Sequence, residues 1–166
     1  SHDPTGHAEI IALREATRAA GVLLIFDEVM TSRHSAGGLQ KVHGVTPDLT
    51  TLGKYIAGGM SFGAFGGRAE VMDLFDGHRP GALIHSGTFN NNVLTMAAGA
   101  AGLAQVFTAE AATGLNARGD RLRARLNKSA MARDLPVTIT GTGSVMNIHF
   151  VRGPVRSPDD VADSSV

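Results

Sequence analysis

The chain has 166 residues, enough for a domain with a buried core, and its 15 basic and 15 acidic residues give zero formal net charge. This balance gives no electrostatic reason to expect nucleic acid or an anionic membrane as a partner. The absence of cysteine excludes disulfides and thiolate metal sites, and the seven histidines form no H-E-x-x-H motif, so no metal site is predicted. No apolar run approaches the ~20 residues of a membrane helix, and no secretory signal is visible, so we expect a cytoplasmic protein.

The beginning of the chain predicts a helix, a buried strand and a long loop. Apolar residues recur at helical spacing over residues 8–20, and Gly21 follows where a helix C-cap is expected. The run GVLLIF at 21–26 is short and continuously apolar, as is typical of a buried strand, and residues 31–47 predict a loop. A helix followed by a buried strand is half of a βαβ unit, so we expect an α/β fold with a parallel sheet covered by helices.

Shorter elements follow along the rest of the chain, and no internal repeat is found. They are a strand over 48–54, tight turns around a short strand over 56–68, a short helix over 69–77, a largely buried helix over 93–107, an amphipathic helix over 114–133 and a half-buried strand pair over 136–151. In the amphipathic helix, Leu115, Leu122 and Leu126 lie near one face. The strand pair is broken at Gly141 and Gly143, where a turn is expected.

The predicted buried strand ends on Asp27 and Glu28, and three interpretations of this acidic end compete. The plainest is that a strand stops where polarity begins. A second is that the aspartate holds magnesium in a nucleotide hydrolase, which requires a phosphate-cradling loop G-x-x-x-x-G-K-[ST]. The Gly-Lys pair at 53–54 is followed by Tyr55 instead of Ser or Thr, and Asp48 stands where the motif needs its first glycine, so the sequence disfavours this second interpretation.

In the third interpretation, Asp27 faces the ring nitrogen of pyridoxal phosphate and Lys54 supplies an amine to the same cofactor. Ligands of open α/β sheets bind beyond the carboxyl ends of the strands, where both residues are expected. Lys54 has Gly53 before it and two further glycines shortly after it, and small neighbours allow a cofactor to come close. A lone lysine is more often a solvated surface residue, so the pattern by itself leaves this choice open.

Three stretches carry a more specific combined pattern: LLIFDEVMTSR, GGLQKVHGVTPDLTTLGKYIAGGMSFGAFGGRAEVMD and SGTFNNNVLTMAAGAAGL. Together they cover roughly residues 8–103, and the set resembles the class III aminotransferases, in particular the glutamate-1-semialdehyde 2,1-aminomutases. The resemblance implies a pyridoxal-phosphate-dependent transferase of fold type I, with residues 1–103 as the C-terminal part of the cofactor-binding large domain. Residues 104–166 would then begin the small C-terminal α/β domain.

The resemblance also implies a role for each of four residues. Asp27 would pair with the pyridine nitrogen of the cofactor, and Val29 would pack on one face of its ring. Lys54 would form the Schiff base and carry protons between substrate and cofactor. Thr88 would bind the cofactor phosphate of the partner subunit, so a homodimer is implied.

By this resemblance the protein would transfer amino groups between small molecules or within one, as aminotransferase or aminomutase. The upstream phosphate loop and the ring-stacking aromatic residue of the family have no counterpart in this sequence. We therefore expect the chain to be a fragment, and to be inactive by itself. The alternative is a truncated, non-catalytic product that retains only dimerisation or weak binding of pyridoxal phosphate.

Overall fold

The computed structural model of the chain describes residues 4–161. Residues 1–3 and 162–166, at the outer ends of the two predicted domains, lie outside the described part. The chain divides into two compact units, Ser1–Thr108 and Ala109–Val166. Within residues 4–161 no single helix is long and apolar enough to cross a membrane. The segments Val93–Val106 and Ala109–Ala132 reach the length and apolar composition of a membrane span only when they are taken together.

The first unit contains a three-stranded sheet in the order β1-β2-β3. Its elements are α1 (Pro4–Ala19), β1 (Ile25–Asp27), α2 (Gly38–His43), β2 (Leu49–Gly53), β3 (Gly63–Gly67), α3 (Ala69–Met72) and α4 (Val93–Ala101). Strands β1 and β2 are parallel, as expected, whereas β2 and β3 are antiparallel. The antiparallel pairing follows from chain length, because residues 54–62 are too few for the crossover that parallel neighbours need.

Helix α1 ends as its sequence predicts. Gly21 has a left-handed backbone (φ 66°), and its N–H donates to the Arg18 carbonyl at 3.2 Å. The N–H of Val22 donates to the Thr17 carbonyl at 2.9 Å. These two bonds form a Schellman motif, which satisfies the last carbonyls of the helix and turns the chain toward β1.

The prediction of a continuously buried strand over 21–26 is wrong. The strand has three residues, and although Leu24 is buried, three apolar neighbours are exposed: Val22, Leu23 and Ile25. In the described part of the chain β1 pairs on one edge only, with β2. Its apolar side chains therefore lack the second layer that a central parallel strand would have.

The predicted loop over 31–47 instead contains a 3₁₀ turn at Thr31–His34 and helix α2. The buried carboxylate of Glu28, 2% exposed, explains the helix. It accepts hydrogen bonds from the first-turn N–H groups of Leu39 (3.0 Å) and Gln40 (2.7 Å). A Cβ atom at Gly38 would lie 2.7 Å from Glu28 Oε1, so only glycine allows this approach. A capping residue ten positions upstream leaves no local pattern in the sequence.

Helix α4 is present where predicted, but the prediction that it is largely buried is wrong. It continues as a π-helical segment, Gly102–Val106, and among its side chains Thr95 is buried while Val93 and Leu94 are exposed. An apolar composition by itself does not show whether a helix surface packs within its own chain or against another chain.

The second unit is a helix packed on a hairpin: α5 (Ala109–Ala132), β4 (Thr138–Thr142) and β5 (Val145–His149). The antiparallel pair and its turn agree with the sequence prediction. The buried positions of α5 are small residues rather than the leucine face, namely Ala112, Gly119 and Ala130. A Cβ atom at Gly119 would lie 2.1 Å from the Gly143 carbonyl oxygen, which shows how closely the helix backbone approaches the turn.

Asp48, which precedes β2, joins three elements of the first unit. Its buried carboxylate accepts hydrogen bonds from the Leu24 N–H (2.8 Å), Arg14 of α1 (2.8 Å) and Arg68 beyond β3 (3.0 Å). Its backbone N–H also donates to the Leu24 carbonyl at 2.8 Å. The Leu24 N–H first, and then the two guanidinium groups, hold the pKa of Asp48 well below its ordinary value.

We predict that Asp48→Asn, made in the full-length protein, lowers the urea midpoint and flattens its pH dependence. The folded-state pKa is depressed, so the contribution of the carboxylate is complete well above 3.8 and is lost as the pH falls below that value. Urea unfolding at about pH 6 and about pH 3 measures this change. The exposed Glu15→Gln on α1 is the matched control. An unchanged pH dependence in Asp48→Asn would contradict the assignment.

We predict that Glu28→Gln destabilises the full-length protein by about 1.5–3 kcal/mol, because charge-assisted bonds to two helix N–H groups are lost while the side-chain volume is kept. Chemical unfolding checks this value, and the exposed Glu9→Gln of α1 serves as control. A loss below about 0.5 kcal/mol, the ordinary effect of a surface substitution, would show that α2 does not depend on this carboxylate.

Candidate active site

The carboxyl ends of β1 and β2 bring Asp27 and Lys54 to one edge of the sheet. Asp27 is the last residue of β1, and Lys54 directly follows β2. Because these strands are parallel, with Asp27 in register with Thr51, both ends point the same way. This edge is where ligands of α/β sheets bind.

The Asp27 carboxylate is exposed and held in a fixed position. Its Oδ1 accepts hydrogen bonds from the Val29 N–H (3.1 Å) and from the Thr51 hydroxyl (2.9 Å). These two bonds lower the pKa of Asp27, and the positive charge of Lys54 lowers it further. Asp27 is therefore ionised at neutral pH.

Lys54 is exposed and begins a 3₁₀ turn, Lys54–Ala57. Its backbone is left-handed, with φ 55°, a conformation that lysine rarely adopts. Gly58 closes the turn with φ 62°, and its N–H donates to the Tyr55 carbonyl at 3.0 Å. The strained residue is thus followed at once by a tightly bonded turn.

The Val29 side chain lies beside the start of this turn. A Cβ atom at Gly53 would meet Val29 Cγ1 at 3.5 Å and the Phe62 carbonyl oxygen at 3.2 Å. The Val29 side chain therefore lies against Gly53, the residue that directly precedes Lys54. The structure brings together three of the four residues predicted from the sequence: Asp27, Val29 and Lys54.

The turn that follows Lys54 packs against α4 through backbone atoms. A Cβ atom at Gly58 would lie 2.6 Å from the Ala98 carbonyl oxygen, and one at Gly99 would lie 2.7 Å from the Ile56 carbonyl oxygen. Glycine on both sides allows this close approach. Helix α4 therefore supports the segment that carries Lys54.

Thr88, the fourth predicted residue, lies in an exposed turn before α4. Thr88 is not the N-cap of α4: the Asn92 side chain accepts from the N–H groups of Leu94 (3.0 Å) and Thr95 (3.2 Å) and so caps the helix. Asn91, with φ 56°, turns the chain into that cap. The hydroxyl of Thr88 is thus not used to begin α4.

Two side chains near Lys54 have no assigned role from the sequence. The ring of Tyr55 lies 4.5 Å from that of Phe107, centroid to centroid, and the guanidinium carbon of Arg33 lies 6.0 Å from the centre of the Tyr55 ring. Arg33 and Tyr55 are 22 positions apart in the sequence, so no spacing rule indicates their contact. Only the position of Tyr55, directly after Lys54, could have drawn attention to it.

Comparison with known proteins gives a consistent family. Residues 6–162 match the family model described as "Aminotransferase class-III". The chain is 62% identical to the beta-phenylalanine transaminase of Variovorax paradoxus over 91% of its length, and 41% identical to the glutamate-1-semialdehyde 2,1-aminomutase of Pyrobaculum aerophilum over 93%. It spans 35% and 36% of these two relatives, about a third of each. The identity to the transaminase is the higher of the two.

The solved structures agree. The crystal structure of the beta-phenylalanine aminotransferase from Variovorax paradoxus matches 93% of the chain with a TM-score of 0.84 and 60% identity, and 36% of that structure is covered. A transaminase with pyridoxal phosphate bound matches 84% with a TM-score of 0.78 and 34% identity, and 33% of it is covered. The fold is the α/β fold of these transaminases, and the chain belongs to the class-III aminotransferase family.

Proposed function

We propose that the protein containing this chain is a pyridoxal-phosphate-dependent enzyme that transfers amino groups between small molecules, with Lys54 as the residue that binds the cofactor covalently. One observation carries the proposal: Asp27 ends β1 and Lys54 directly follows the parallel strand β2, so both lie at the carboxyl ends of paired strands, where the charge of Lys54 acts on Asp27. The family membership supports the same reaction class.

The residues at this edge fit the cofactor on chemical grounds. A protonated pyridine nitrogen needs an ionised carboxylate, and Asp27 has a lowered pKa and is exposed. An aldehyde needs an amine, and Lys54 is exposed on the same edge. When bound, pyridoxal phosphate supplies an electron sink for a carbanion formed on the amino substrate.

Asp27 would hold a proton on the pyridine nitrogen, since an adjacent negative charge favours the protonated form of a base. The hydrogen bonds from Val29 and Thr51 fix the carboxylate and keep it ionised, so it acts as a permanent negative charge. Val29, whose side chain lies against Gly53, would cover one face of the ring. Both roles are electrostatic or steric, and neither consumes a proton.

Lys54 would have two successive roles. Its amine would hold the cofactor covalently, and when released it would carry a proton between the substrate carbon and the cofactor. The left-handed backbone and the bonded turn that follows restrict where this amine can reach. Restriction of this kind favours proton transfer along one short path.

The exposed segment before α4 suggests a second copy of the protein as partner. Ile84 and Phe89 are 88% and 86% exposed, and Val93 and Leu94 are also exposed. We name these four residues the α4 entry surface. An apolar surface of this kind is typical of an interface. In the proposed homodimer it would be covered by the other subunit, and the Thr88 hydroxyl beside it would bind the partner's cofactor phosphate.

The unit boundary and the reaction type complete the proposal. We place the change from the large to the small domain near residue 104, close to the start of the second compact unit at Ala109. The three residues at this edge do not distinguish an aminotransferase from an aminomutase. The higher identity to a transaminase favours transfer between two molecules. The alternative, a truncated non-catalytic product that retains only dimerisation or weak cofactor binding, predicts no turnover.

We predict that the full-length protein binds pyridoxal phosphate covalently at Lys54. Borohydride reduction and peptide mass spectrometry should place the label on Lys54, and Lys54→Ala should abolish both labelling and transamination of amino donors. Lys41→Ala, which removes another exposed lysine, is the matched control and should retain both. Labelling without turnover in the unaltered protein would favour the non-catalytic alternative, and labelling that persists in Lys54→Ala would refute the assignment.

We predict that Phe89→Asp weakens the homodimer of the full-length protein by at least about 10- to 100-fold, the value of one buried aromatic side chain, because the substitution is present in both subunits. Sedimentation velocity over a range of concentrations measures the dissociation constant. Met131→Asp, which changes another strongly exposed apolar residue, should leave it unchanged. If Phe89→Asp and Met131→Asp have the same effect on the dissociation constant, the α4 entry surface is covered by the protein's own remaining chain and not by a second subunit.

A further inference from the structure

The backbone at Lys54 requires an explanation from its surroundings. Among residues 4–161, three non-glycine residues have positive φ: Lys54, Asn91 and Asp134. Asparagine and aspartate tolerate this region because a short polar side chain can bond locally, whereas lysine has no such help. A strained conformation of this kind persists only where the neighbouring structure holds it.

Tyr55, the residue after Lys54, is held by contacts of its side chain as well as by a hydrogen bond of its backbone. The Tyr55 ring packs against Phe107 at 4.5 Å with the two rings tilted by 54°. The guanidinium carbon of Arg33 lies 6.0 Å from the centre of the same ring, within the range of a cation–π contact. Rotation of the peptide between Lys54 and Tyr55 would have to move this ring out of both contacts.

Arg33 is in turn fixed to the end of β1. It lies in the 3₁₀ turn Thr31–His34, and the N–H of Ser32 in that turn donates to the Glu28 carbonyl at 3.0 Å. Glu28 follows Asp27 directly and is itself buried. The Arg33–Tyr55 contact therefore joins the segment beyond Asp27 to the segment beyond Lys54, in addition to the pairing of β1 with β2.

We infer that Arg33 and Tyr55 are positioning residues: their contact holds the left-handed backbone at Lys54 and thereby directs its amine toward the Asp27 edge. The inference rests on the proposed function, because it concerns the amine that would bind the cofactor. Neither residue touches the reacting atoms. Their effect is on the orientation of Lys54 before any substrate arrives.

The first test uses the full-length protein freed of its cofactor. The rate at which added pyridoxal phosphate becomes covalently attached is followed by absorbance and confirmed by borohydride trapping. Arg33→Met and Tyr55→Leu should each slow attachment about tenfold, the effect of losing one cation–π contact of ordinary strength. Tyr55→Phe keeps the ring and should attach at the wild-type rate. The double variant should be no slower than Tyr55→Leu, because that substitution already removes the contact with Arg33.

The second test needs no cofactor and reports the strain itself. Lys54→Gly should have a higher thermal midpoint than Lys54→Ala, since glycine adopts the left-handed backbone without cost and alanine does not. In a Tyr55→Leu background the backbone can relax, so the difference between the glycine and alanine variants should shrink. If Tyr55→Leu only destabilised the fold in general, it would lower the thermal midpoints of the Lys54→Gly and Lys54→Ala variants equally and leave the difference between them unchanged.

The outcomes separate the inference from the proposed function. Attachment at Lys54 with wild-type rates in both Arg33→Met and Tyr55→Leu would overturn the inference alone. A glycine–alanine difference that Tyr55→Leu leaves unchanged would overturn it as well. Attachment at a lysine other than Lys54 would overturn the proposed function, and the inference with it. Slow attachment in Tyr55→Leu, normal attachment in Tyr55→Phe and a reduced glycine–alanine difference would together establish it.

Discussion

Asp48 sets the alignment of β1 against β2, on which the candidate site depends. Its carboxylate and its backbone N–H both bond to Leu24, the residue that leads into β1, while Arg14 and Arg68 bond the same carboxylate from α1 and from beyond β3. A shift of one residue between β1 and β2 would break both bonds between Asp48 and Leu24. It would also remove Thr51 from Asp27, because a slip by one position turns side chains to the opposite face.

The three acidic residues of this region have separate tasks. Asp48 and Glu28 are buried and saturated with donors, so their charges serve the fold. Asp27 is exposed and accepts two hydrogen bonds on one oxygen, Oδ1. An exposed carboxylate fixed in this way suits a ligand cation, whereas a buried one would need a partner within the protein.

One strained backbone position lies where the proposed chemistry would take place. Lys54 has a left-handed backbone, glycines at 58 and 99 let its turn lie against α4, and the Tyr55 ring packs against Phe107. The amine is then directed by rigid surroundings rather than by its own flexible side chain. Pre-organisation of this kind lowers the entropy cost of reaching a reactive geometry.

Local chemistry in the sequence determined several features by itself: the stop of α1 at Gly21, the strand–turn–strand at the end of the chain, and the placement of Asp27 and Lys54 at strand ends. Each depends on neighbours within a few positions, which is the range of helical and strand periodicity. Tertiary structure alone decided that Glu28 is buried and begins α2, that the Lys54 backbone is left-handed and that Arg33 meets Tyr55. These depend on residues distant in sequence, whose approach no periodicity encodes. The exposure of the apolar residues of β1 and α4 also could not be predicted from the sequence. An apolar composition does not specify which other surface will cover these residues.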